Sequence, residues 1–140
     1  MTDTTRTTRA SPDTRTPGAR NTVYSVTVGV TGLVILLQAL WAGLFIKEGM
    51  DYQDTWVRVH DLGAKASIVL ALVALVIAVV KLRSRRDLII GTAVLLVLLA
   101  AEGHLGSLIG DAPWVTSIHF PLGMALMGLA VWLPFRSRHV

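Results

Sequence analysis

The 140-residue chain contains no cysteine and few charged residues. The absence of cysteine excludes disulfide bonds, iron–sulfur clusters, thiolate metal sites, covalently attached c-type haem and a cysteine nucleophile. Charged residues make up only 16% of the chain and hydrophobic residues 53%, a balance too apolar for a soluble fold of this size. Any chemistry must therefore come from the few polar residues that lie among apolar ones.

The apolar residues fall in four long blocks, at about residues 22–46, 57–82, 87–109 and 114–135. Each block is long enough to cross a hydrocarbon core of about 30 Å as an α-helix, which satisfies its own backbone hydrogen bonds in lipid. The sequence therefore predicts an all-α, integral membrane, up-down four-helix bundle over residues 22–136. Residues 1–21 are rich in Thr, Arg, Pro and Asp without apolar periodicity, and they are predicted to be a disordered cytoplasmic tail.

Basic residues are unevenly distributed between the two sides of the predicted membrane. The N-terminal tail and the second connection hold four Lys or Arg residues each and the C-terminus holds two, whereas the third connection has none. The positive-inside rule then places both termini in the cytoplasm and the first and third connections outside. The formal charge of +4 orients the protein against anionic lipid, so the bilayer and not nucleic acid is the expected partner.

Four ionisable side chains lie close to the outer ends of the predicted spans. His60 is near the start of the second span, Glu102 and His104 are near the end of the third, and His119 is early in the fourth. The helix rise places them at one level, roughly 5–10 Å below the outer interface. Ionisable residues at membrane depth are costly and usually face the bundle interior or a cavity, so these four are candidates for a functional site.

His60 and His119 form the most specific pair among these residues. The second and fourth spans run in the same direction and are diagonal neighbours in an up-down bundle, so the two imidazoles approach each other across the core. Two imidazoles facing each other at one depth can provide both axial ligands of a six-coordinate haem b. The opposing interpretation is that each histidine is an interfacial anchor or a hydrogen-bonded packing residue.

Small and basic residues accompany the two histidines. Gly63 shares the helix face of the first histidine and Gly123 follows the second by one turn, which leaves room for a flat macrocycle. Arg58 and Lys65 are near the outer surface, where they are candidates to pair with haem propionates, although Asp61 is also spaced to pair with Lys65. Glycine in a membrane helix is also typical of close helix packing, which explains both glycines without a cofactor.

Glu102 and His104 support a second hypothesis. Two residues apart on a helix, they point about 200° from one another, so both cannot face the same core site. Together with the two central histidines they are candidates for a non-haem metal or proton-handling site, because imidazole and carboxylate suit Zn, Cu or Fe. A third hypothesis is a cofactor-free membrane subunit or scaffold. Gln38 and Trp41 are interpreted as packing and interface groups.

The stretch EGHLGSLIGDAPWVTSIHFPLGMAL, from Glu102 to Leu126, carries a family resemblance. It is similar in layout to the end of the third helix, the outer loop and the fourth-helix histidine of one half of a haem A synthase. That family holds haem between a histidine on the second helix and one on the fourth, so the resemblance implies haem binding by His60 and His119. The chain equally resembles small actinobacterial-type four-span membrane proteins.

Two departures from the haem A synthase pattern concern the oxidation that the family carries out. Trp56 and Val57 stand where the family has a glutamate about one turn before the first histidine, and the chain lacks the cysteine pair of the first outer loop. A second bundle is absent unless a homodimer supplies it. The sequence thus predicts a b-type haem-binding protein for electron transfer or haem handling, and the two departures argue against the family's haem oxidation without deciding whether the protein is an enzyme. The expected partner is a second copy or a redox-partner membrane protein.

Overall fold

A computed structural model describes residues 21–47 and 55–138, which form four long α-helices. They are α1 (Thr22–Lys47), α2 (Thr55–Lys81), α3 (Arg86–Leu108) and α4 (Thr116–Arg136), with a short 3₁₀ turn, Pro113–Val115, before α4. The described ranges contain no β-strand, so the predicted all-α four-helix fold is confirmed. The helices begin and end within about two residues of the predicted spans. The predicted tail lies outside the described residues, apart from Asn21.

All four helices are long and apolar enough to cross a membrane. Large apolar side chains cover the outside of the bundle as well as its interior; Val97 is 65% exposed and Met124 is 77% exposed. A helix that is hydrophobic on all sides needs either a protein core or lipid around it, and these outer faces have no protein over them within the described residues. The chain is therefore a multi-pass membrane protein.

The helices pack as a ring in chain order. Each helix contacts its neighbours in the sequence, and α1 closes the ring against α4. Consequently α2 and α4 are diagonal, as the up-down arrangement predicts. The buried face of α2 carries Ala71, Ala74 and Ala78, all fully buried, and such small residues let membrane helices approach closely.

Polar contacts join the helices at the end of the bundle that carries the second connection and the C-terminus. The Tyr24 hydroxyl and Thr92 Oγ1 are 2.7 Å apart in a buried hydrogen bond between α1 and α3. Asp87, in the first turn of α3, accepts hydrogen bonds from Arg85 and from Arg136 of α4, with N–O distances of 3.0 Å. These contacts fix the spacing of α1, α3 and α4 at that end.

The fourth helix has an interrupted backbone near its start. The 3₁₀ turn at Pro113 leads into α4, and Pro121 follows inside the helix. Proline has no N–H, so the Ser117 carbonyl lacks its helical donor four residues on. The interruption lies two residues after His119, whereas α2 contains no proline around His60.

Candidate functional site

The structure brings His60 and His119 together between the diagonal helices. Their ring centroids are 6.5 Å apart and the ring planes cross at 87°. His60 is half-buried, and the His119 side chain is only 14% exposed. The rings are thus neighbours in a T-shaped arrangement; one belongs to α2 and the other to the first turn of α4.

Glu102 of α3 joins the pair on the His119 side. Its Oε1 lies 3.1 Å from His119 Nδ1, and its side chain is also 14% exposed. The contact has the distance of an ion pair, and within the described residues His119 Nδ1 and Glu102 Oε2 are buried without a hydrogen-bond partner. A carboxylate at this position can orient the imidazole and take up a proton from it.

Two glycines make room for this contact. A Cβ added at Gly106 would lie 3.2 Å from His119 Cε1, and one added at Gly123 would lie 3.2 Å from Glu102 Oε1. Both distances are shorter than ordinary van der Waals contact of a Cβ atom. Gly106 and Gly123 therefore seat the imidazole and the carboxylate. The space that the sequence assigned to a macrocycle at Gly123 is occupied by Glu102.

Gly63 has a similar role between α1 and α2. A Cβ at this position would collide with the Gln38 amide and with the Trp41 ring. Gly63 is buried, so these two side chains of α1 fill the space that the sequence analysis reserved for a cofactor. Close helix packing, the alternative explanation for glycine, is what the structure has at this position.

Gln38 is a site residue that the sequence analysis missed. Its amide nitrogen donates to the His60 carbonyl oxygen at 2.9 Å and to His60 Nδ1, and its amide oxygen accepts from the Ala64 N–H at 3.1 Å. The amide orientation is assigned from this network, because oxygen and nitrogen differ only in what they can bond. The sequence feature that could have identified Gln38 is that it is the only amide in a predicted span without charged side chains. Phe45 packs beside His60, with centroids 5.5 Å apart.

The basic residues predicted for propionate binding lie away from the histidine pair. Lys65 is 68% exposed and forms the expected i,i+4 ion pair with Asp61 at 2.6 Å, and Arg58 is also exposed. Both basic residues lie about 140–160° around α2 from His60, on the outer side of the helix. The structure therefore does not bring them to the site.

His104 is also separate from the site. Its side chain is exposed, and its carbonyl oxygen accepts a hydrogen bond from the Ser107 hydroxyl at 2.7 Å. Glu102 faces inward and His104 outward, as their spacing predicts. The described residues contain no group of three or more metal-ligating side chains. The non-haem metal set drawn from Glu102, His104 and the two central histidines is thus not assembled.

The fold and the site define a class: an α-helical multi-pass membrane protein with a buried His–His–Glu cluster near one end of the bundle. Comparisons with protein-family profiles, curated proteins and solved structures find no match. The functional argument therefore rests on the geometry of His60, His119, Glu102 and Gln38.

Proposed function

We propose that the protein binds a b-type haem with His60 and His119 as axial ligands, for electron transfer or haem handling. The observation that carries the proposal is the 6.5 Å between the ring centroids. A metal ion held at about 2 Å from each of two opposed imidazole nitrogens would place the ring centroids at about 6 Å. The centroid separation is therefore close to that of two imidazoles bound to one metal ion. The porphyrin ring would in addition require the Gln38, Trp41 and Glu102 side chains, which occupy the space beside Gly63 and Gly123, to move.

The carboxylate partner of His119 also fits this proposal. A metal-ligating histidine almost always donates the N–H of its other nitrogen to a carboxylate, a carbonyl group or water. His119 Nδ1 faces Glu102 Oε1 at 3.1 Å, which leaves Nε2 as the nitrogen available to a metal. His60 Nδ1 faces the Gln38 amide nitrogen, which is a donor, so His60 would have to change tautomer to bind a metal through Nε2.

When bound, haem supplies one-electron chemistry at the iron. The chain would supply two imidazole ligands, the Glu102 carboxyl and an apolar surround of membrane helices. We infer from the distribution of basic residues that both termini face the cytoplasm and that the site lies toward the outer face of the cell membrane. A second copy of the chain or a redox-partner membrane protein is the proposed partner.

An absorbance spectrum of protein purified from haem-sufficient cells tests the proposal. We expect a Soret band and split α and β bands after reduction, and we expect His60→Ala and His119→Ala each to remove the six-coordinate spectrum. His104→Ala is the matched control, because His104 is exposed and lies outside the pair. A colourless preparation of folded wild-type protein would contradict haem binding.

Proton handling without a cofactor is a second candidate. It is favoured by the buried Glu102 Oε2, which has no hydrogen-bond partner within the described residues, next to a histidine. Such a carboxyl group can exchange a proton with the neighbouring imidazole without a large movement of either side chain. Proton flux into liposomes should then fall to the background in Glu102→Gln and persist in His104→Ala. Flux that is the same in both variants would exclude this role for Glu102.

A further inference from the structure

We propose that Gln38 fixes the tautomer of His60 so that the two histidines are not equivalent: His119 presents a free Nε2, whereas His60 carries its proton there. The tautomers are a property of the chain itself, independent of the proposed function, and can be measured without haem.

The His119 tautomer follows from its carboxylate neighbour. Glu102 Oε1 lies 3.1 Å from Nδ1, and a carboxylate oxygen is an acceptor. Facing an acceptor favours the imidazole form that carries its proton on Nδ1. The lone pair of His119 Nε2 is then free to bind a metal.

The His60 tautomer follows from the backbone of α2. The Gln38 amide faces the His60 carbonyl oxygen on one side and the Ala64 N–H on the other. With the amide reversed, oxygen would face oxygen at 2.9 Å and N–H would face N–H at 3.1 Å. These two backbone groups therefore direct the Gln38 nitrogen toward His60.

The amide nitrogen then determines which nitrogen of His60 carries the proton. It has only hydrogens to offer, so His60 Nδ1 must accept and must hold a lone pair. The proton of the neutral imidazole consequently lies on Nε2. The α2 backbone therefore sets the orientation of the Gln38 amide, and the amide sets the tautomer of His60.

The experiment uses protein without haem, in detergent micelles, with ¹⁵N-labelled histidine. Long-range ¹H–¹⁵N spectra distinguish the two tautomers, and His60→Asn and His119→Asn assign the signals. We expect the Nε2–H form for His60 and the Nδ1–H form for His119. In Gln38→Met, which keeps the side-chain length, His60 should lose its preference. Glu102→Gln is the matched control and should change His119 alone.

Two results would overturn the tautomer assignment: the Nδ1–H form for His60 in the wild type, or a His60 signal that Gln38→Met does not change.

Discussion

Replacing Gly63 with alanine tests how tightly α2 packs against Gln38 and Trp41 of α1 beside the site. The added Cβ would collide with the Gln38 amide and with the Trp41 ring. The amide is at the end of a flexible side chain and can turn away, but it would then leave His60. The indole is rigid, so either its ring must change rotamer or α1 and α2 must separate locally.

The expected size of the effect comes from two opposing contributions. Overpacking a tight contact by one methyl group destabilises by about 1–3 kcal/mol. Alanine in place of glycine within a helix contributes about 0.5–1 kcal/mol in the other direction. Gly43→Ala is the matched control, because a Cβ at Gly43 meets no atom within 4 Å and only the second contribution applies. The two variants should therefore differ by about 1–3 kcal/mol, the contribution of overpacking alone.

The free energies of unfolding are measured by titrating folded protein in mixed micelles with a denaturing detergent and following helix content. We expect Gly63→Ala to unfold at a lower detergent fraction than the wild type and Gly43→Ala at the same or a higher fraction. Equal midpoints for the two alanine variants would refute the tight packing of Gly63 against α1. A loss confined to Gly43→Ala would do so as well.

Three other predictions concern the rest of the bundle. Thr92→Val should destabilise by about 1–3 kcal/mol because it leaves the Tyr24 hydroxyl buried without a partner, and adding Tyr24→Phe should recover much of that loss in the same unfolding assay. Asp87→Asn should cost up to about 1 kcal/mol at low salt, with the loss shrinking as salt is added, and a salt-independent loss would exclude an electrostatic origin. Because the chain has no cysteine, an impermeant maleimide should label Asp111→Cys but not Ser84→Cys in intact cells; the reverse pattern would invert the proposed orientation.

The fold was largely accessible from the sequence because lipid imposes a simple requirement on the chain. A span must be long, apolar and helical, so hydropathy alone located four helices. The up-down arrangement with short connections then made α2 and α4 diagonal, and equal depth placed His60 opposite His119. Glu102 was found for the same reason, since an acid at that depth is costly without a partner.

The details of the site were less accessible because they depend on the rotation of each helix about its axis. Gly63 is an example: its small size accommodates Gln38 and Trp41 from the adjacent helix. Arg58 and Lys65 lie on the far side of α2 from His60. Depth follows from counting residues along a span, whereas the direction of a side chain depends on packing between helices.

The interrupted backbone at the start of α4 makes the two imidazoles mechanically unequal. His60 sits on an unbroken helix that Gln38 and Trp41 hold against α1. His119 lies between the 3₁₀ turn and Pro121, in a stretch of helix that lacks one backbone hydrogen bond because proline has no N–H. Any change in the gap between the rings is therefore absorbed by the first turn of α4. Because Glu102 contacts His119, such a movement would next displace the Glu102 side chain of α3.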